Sequence, residues 1–238
     1  MQRLSRAEIE FLADRALGAF QKGQQKGLSP TDIFGFAAGH LRLKLEYATL
    51  STDCSILGMT SFSDTVCEIY QDDELMLFTL PKGYIVIEKS LHADWHKGRE
   101  RFTIAHECAH QLLHTAHALE FRQCRAVEYA ETLCAQRRLS TTGDWLEWQA
   151  NVMAAALLMP GYQMVTAMNT YFKAGRLQAK YGEISVAELK ILTEIAELYG
   201  VSVSALIVRL KQLNLLTGMD KLRTRNQMDV IVEEEYCA

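Results

Sequence analysis

Five consecutive residues, His106-Glu107-Cys108-Ala109-His110, carry the pattern His-Glu-x-x-His. On a helix, positions four apart lie one above the other on one face, so the two imidazoles can converge on a single metal ion. Glu107, one step round the helix, then reaches a water at that ion. Zinc lowers the pKa of such a water to about 7, which puts its proton within range of a carboxylate base at neutral pH. The pattern is short, and chance alone would produce it at a rate on the order of one per cent in a chain with this many histidines. Its surroundings add weight. Ile104, Ala105, Cys108, Ala109, Leu112 and Leu113 form an apolar stripe beside the histidines. That suits a helix over about 101–116, buried on one side with its ligands on the flank. The ordinary alternative, two half-buried structural histidines, accounts less well for this context.

A catalytic zinc takes three protein ligands and keeps one position open. His114 and His117 extend the same face, but His114 lies about 12 Å along the axis from His106. One ion with ligands at about 2 Å cannot serve both without a break in the helix. Leu113 and Ala116 also occupy the Gly and His places of the longer HExxHxxGxxH pattern, which argues against that class. Glu147, in Glu147-Trp148-Gln149-Ala150-Asn151, is the better third donor, on a second helix over about 145–159. Asn151 follows one turn later and can orient a ligating histidine. Asp144-x-x-Glu147 also fits a helix start, so spacing alone leaves ligand and cap both open.

The elements that must position these residues follow from periodicity. Ile9, Leu12, Ala13, Leu17 and Phe20 recur at a helical interval, and Ser29-Pro30-Thr31-Asp32 starts a second helix reaching Leu41. Between Leu43 and Leu91 the texture is that of strands, with Leu75 to Leu80 and Tyr84 to Ile87 reading as a hairpin about Pro81-Lys82-Gly83. After Arg101 nearly everything reads as helix. The order predicts an α+β fold with N-terminal helices, a small mostly antiparallel sheet, the HExxH helix and a C-terminal helical hairpin. A division at 1–184 and 185–238 is expected, the second part packed on the first. Residues 119–144 form a charged connection without an assignable task.

Composition sets outer limits. The 238 residues are 49% hydrophobic and 23% charged, with a formal net charge of -4, which disfavours a protein devoted to binding phosphates. Charges interrupt the N-terminal twenty residues, so they do not read as a secretory signal. The apolar run from Glu147 to Lys173 is diluted by polar residues and broken at Pro160-Gly161, so no membrane span is expected. Six cysteines without CxxC spacing read as free thiols in a reducing compartment. A cytoplasmic protein is the expectation.

At the level of motifs the chain resembles the ImmA/IrrE-type metallopeptidases. Three segments carry the likeness: 101–110 with the motif, Glu147-x-x-Ala150-Asn151 with Ala154-Ala155-x-Leu157-Leu158-Met159-Pro160, and Ser29-Pro30-Thr31-Asp32-Ile33. The resemblance implies a zincin-like peptidase with His106, His110 and Glu147 holding Zn2+ and Glu107 as general base. It implies a protein substrate, and some characterised members cleave helix-turn-helix repressors. Gln149 stands where such proteins often carry a second glutamate, and the connection 119–144 is longer than usual. Such a site normally adds a donor for the developing oxyanion; Tyr162, His114 and His117 are open candidates.

The rival reading is a DNA-binding regulator. Ala187 to Tyr199, a turn at Gly200-Val201-Ser202-Val203-Ser204, and Ala205 to Leu213 have helix-turn-helix outline, with Ser202 or Ser204 as cap and Arg209 and Lys211 as basic residues. The second helix is strongly apolar through Leu206, Val208 and Leu210, which suits a packed hairpin better than a DNA groove. Direct nucleic-acid binding is therefore not expected.

Overall fold

Ser5 starts the first helix, α1 (Arg6–Phe20), through a reciprocal cap: its hydroxyl accepts from Glu8 N while the Glu8 carboxylate accepts from Ser5 N. Such caps are worth about 1 kcal/mol. The computed structural model describes residues 3–22, 28–72, 74–93, 97–115, 121–125 and 141–219. His117, most of the charged connection 119–144 and everything after 219 lie outside them. The described chain forms two compact units, one drawn from Met1–Gly23 and Thr31–Leu158, the other from Gln24–Pro30 and Met159–Ala238. The expected division at 184/185 falls within the second.

In the first unit α1 buries Ile9, Ala13 and Leu17 and packs against a long helix, α4 (Thr142–Leu158). Asp32 caps a single turn, α2 (Ile33–Gly35), that widens into a π-helical turn over Phe36–His40. Strands β1 (Lys44–Ala48), β2 (Ile56–Ser61), β5 (Tyr84–Glu88) and β6 (Phe121–Arg125) form one sheet in the order β1-β5-β2-β6. The β1–β5 pairing is parallel and the other two are antiparallel. The strands β3 (Thr65–Gln71) and β4 (Glu74–Leu80) form a second, two-stranded antiparallel sheet, and Tyr70 of β3 also bridges Thr49.

Two expectations are corrected here. The hairpin is β3–β4, turning at Asp72 with φ 52°, and not β4–β5. The Pro81-Lys82-Gly83 corner instead passes the chain from one sheet to the other: Gly83 N donates to Ser61 O, and Gly83 O accepts from Lys44 N. Alternation could not separate these choices, because both turns carry turn-forming residues. The second correction is β6, a strand in a stretch read as a helical or charged connection.

The helix α3 (Lys97–Leu113) lies against β2. A Cβ added to Gly58 of β2 would sit 2.5 Å from Thr103 Cγ2 and 3.0 Å from Glu107 Oε1, so only glycine permits this approach. Gln111 Nε2 adds bonds to Thr60 Oγ1 at 2.7 Å and Ser61 O at 2.8 Å. Arg101 donates to Thr31 O, and the Thr31 hydroxyl donates to Leu157 O at the end of α4. The separated segments 29–33, 101–110 and 147–160 are thus tied together by two hydrogen bonds. The cluster Leu50, Met59, Cys67, Leu80 and Val86 fills the space between the sheets.

The second unit holds α5 (Gly161–Tyr171), α6 (Val186–Tyr199), α7 (Val203–Gln212) and a short parallel ladder of β7 (Leu177–Gln178) with β8 (Leu216–Thr217). Gly200 ends α6 in the left-handed conformation and Ser202 caps α7, with the two helices bent by 98°. Arg209, the basic residue that the rival DNA-binding reading would use, is fully buried and its Nε donates to Met159 O at 2.9 Å. It is a packing residue with no access to a phosphate. Among the described residues no single helix is long and apolar enough to cross a membrane.

Candidate metal centre

The two elements that meet at the site are α3 and α4. On α3, His106 and His110 are fully buried and stand one turn apart, with Nε2 atoms 3.0 Å from each other. On α4, Glu147 turns its Oε2 to within 3.1 Å of His106 Nε2 and 3.5 Å of His110 Nε2. Each other ring nitrogen is engaged. His106 Nδ1 lies 2.8 Å from Asn151 Oδ1, an acceptor, so that nitrogen carries the proton. His110 Nδ1 lies 2.8 Å from His114 Nδ1, a pair in which one ring donates and the other accepts. Asn151 and His114 therefore fix how the two rings point.

Two imidazole nitrogens and one carboxylate oxygen, all within 4.8 Å of one another and buried, are the donor types that divalent first-row ions take. The set fits such an ion without rearranging a helix. A second group of donors overlaps it: His106, Glu107 and Cys124 also lie within 4.8 Å of one another.

The electrostatics match a preformed cation site. Burial opposes ionisation of Glu147, yet His110 and His106 hold its carboxyl well below the usual carboxylate range. Burial pushes His110 down to about 4, so its ring is neutral. Burial also disfavours a charged His106, but Cys124 and Glu147 outweigh it and raise that imidazole well above its ordinary value. A metal ion bound by these residues would compete with protons for the His106 ring.

Glu147 does not cap its helix. Thr141 N donates to Asp144 Oδ2 at 2.8 Å and Asp144 N to Thr141 Oγ1 at 3.1 Å, closing the cap three residues earlier. Glu147 then falls in the second turn, facing α3. Gln149, where a glutamate was expected by resemblance, is buried and accepts from Leu4 N at 3.2 Å. It ties Leu4 to α4.

Of the oxyanion candidates, His114 is buried behind His110, and Tyr162 opens α5 in the second unit with 46% exposure. His117 lies outside the described residues. Three neighbours of the centre were not foreseen. His114 as the partner of His110 had a signal, its i+4 spacing. Cys124 and Arg122 had none, since they depend on a strand pairing between distant segments. Arg122 Nε lies 3.8 Å from Glu147 Oε1.

The family model for the IrrE N-terminal-like domain, peptidase M78, matches residues 72–211, more than half of the chain. The chain belongs to this peptidase family. The family is metal-dependent, and the His/Glu group described above lies within the matched residues. The match also runs through α6 and nearly all of α7, so these helices are part of what resembles the family domain. Comparison with curated proteins finds no match.

Proposed function

We propose that the chain is a zincin-like, zinc-dependent endopeptidase in which His106, His110 and Glu147 hold the ion and Glu107 is the general base. The observation that carries this reading is the convergence of His106 Nε2, His110 Nε2 and Glu147 Oε2, at 3.0 to 3.5 Å, while both Nδ1 atoms are held elsewhere. Zinc in that set supplies Lewis-acid polarisation of the scissile carbonyl and lowers the pKa of a water to about 7. Glu107, buried beside His106, accepts a proton from the attacking water and passes it to the leaving amide nitrogen. Asn151 and His114 act through the rings they orient, and burial of the whole group strengthens each of these interactions.

The substrate we propose is a regulatory protein such as a helix-turn-helix repressor, cleaved in the cytoplasm. A protein substrate is supported by the peptidase family, and direct DNA binding is disfavoured by the burial of Arg209. The reducing compartment is supported by the free thiols at Cys54, Cys67, Cys108 and Cys124. The test is to incubate the protein with a repressor encoded beside it. Cleavage by the zinc-loaded protein and none by Glu107→Gln is expected. Equal cleavage by both would refute the assignment of the base.

A further inference from the structure

Building on that reading, we propose that Cys124 is a fourth protein ligand of the metal, presented by a strand that lies where an extended substrate would pair. The conformation described here is then a closed, latent centre.

The argument starts from register. In the antiparallel β2–β6 ladder Cys124 stands directly opposite Gly58, and Arg122 opposite Thr60. Residues directly opposed in such a ladder put their side chains on the same face. That face is the one against α3, because Gly58 abuts Thr103 and Glu107, and Thr60 Oγ1 accepts from Gln111. Both side chains of β6 on this face then meet the centre. Cys124 is buried, with its sulfur within 4.8 Å of ligating atoms of His106 and Glu107, and Arg122 reaches Glu147.

His106 belongs to both donor groups, so an ion it holds together with His110 and Glu147 would have the Cys124 sulfur beside it as a fourth donor. Three protein ligands with one open position make a catalytic site, and a fourth protein ligand closes it. Cys124 binds as thiolate, and its proton leaves to solvent when the metal enters. The strand that carries it has a matching role. Extended peptides add to exposed sheet edges by main-chain hydrogen bonds. β2, the strand nearest Glu107, has β5 on one side and β6 on the other. A substrate strand could pair with β2 beside the centre only after β6 has moved away, and that movement would withdraw the sulfur as well.

Cobalt(II) added to the metal-free full chain tests the ligation directly. A sulfur-to-cobalt charge-transfer band in the near ultraviolet is expected, lost in both Cys124→Ser and Cys124→Ala and kept in Cys108→Ala. Cobalt affinity in Cys124→Ser should fall at least ~10-fold. Visible ligand-field bands that depend on His110, without the sulfur band, would overturn the fourth ligand and leave the three-ligand centre standing. No stoichiometric cobalt binding would overturn both. Acetohydroxamate added to the zinc-loaded protein tests the closure. Its affinity should rise at least ~10-fold in Cys124→Ala, equivalent to about 1.4 kcal/mol. Unchanged affinity would mean that the sulfur does not occupy the open position.

Discussion

Replacing Gly58 with alanine probes the contact that sets Glu107 against the sheet. The new Cβ would stand 2.5 Å from Thr103 Cγ2, whereas carbon atoms rest about 3.5–4.0 Å apart. Something must retreat by about 1 Å. Thr103 is fully buried in α3, so the helix and β2 share the displacement. Overpacking of this kind costs about 1–3 kcal/mol. At ~2–4 °C per kcal/mol for a chain of this size, Tm should fall by several degrees. The same Cβ meets Glu107 Oε1 at 3.0 Å and Cγ at 3.3 Å, so the base is pushed from its place. A misplacement near 1 Å costs on the order of 100-fold in rate. Zinc should stay bound, because Asn151 and His114 still orient both imidazoles. The assay is thermal unfolding, zinc content and cleavage of the proposed repressor substrate for Gly58→Ala beside Gly18→Ala. Gly18 lies inside α1 with open space around an added Cβ, so that control should gain ~0.5–1 kcal/mol. Wild-type Tm and rate in Gly58→Ala would refute the reasoning.

The other predictions separate roles that neighbouring residues play. Glu147→Ala should lose zinc, while Thr141→Ala should keep zinc and cost ~1 kcal/mol of stability through the lost cap. The opposite pattern on metal titration and denaturant unfolding would exchange the two assignments. Asn151→Ala and His114→Ala should each weaken zinc by ~10–100-fold in competition with a chelator, and unchanged affinity in both would deny them any hold on the ligands. Leu206→Asp places an unpaired charge at a fully buried position and should cost several kcal/mol, read as loss of cooperative unfolding near the wild-type midpoint. A variant of normal stability would show that the apolar face of α7 is not core.

What the sequence made legible follows from the range of the interactions involved. His106, Glu107 and His110 sit within one turn of one helix, and the 3.6-residue period alone brings them together. Glu147 was half legible: its spacing to Asn151 suggested a ligand pair, while Asp144-x-x-Glu147 fitted a cap equally well. The Thr141–Asp144 cap removes that ambiguity, and it rests on local bonds that a reader of Thr141-Thr142-Gly143-Asp144 could have weighed. β6 was not legible. Phe121–Arg125 has no clean alternation, and it becomes a strand only because the edge of β2 accepts it. The same holds for the Pro81–Gly83 corner, whose turn chemistry is sound but whose flanking strands belong to different sheets. Arg209 shows a further limit: its place on an apolar helix suited a packed hairpin, but that its guanidinium bonds a buried carbonyl depends on a contact fifty residues away.

Zinc content is the most direct test of the central claim. Full-length protein purified without chelator, and the His106→Ala, His110→Ala and Glu147→Ala variants prepared alongside, would be analysed for metal by mass spectrometry. The account predicts close to one zinc per wild-type chain and loss of most of it in each variant. Wild-type protein free of zinc after exposure to it, or variants that keep the full amount, would contradict the centre as described.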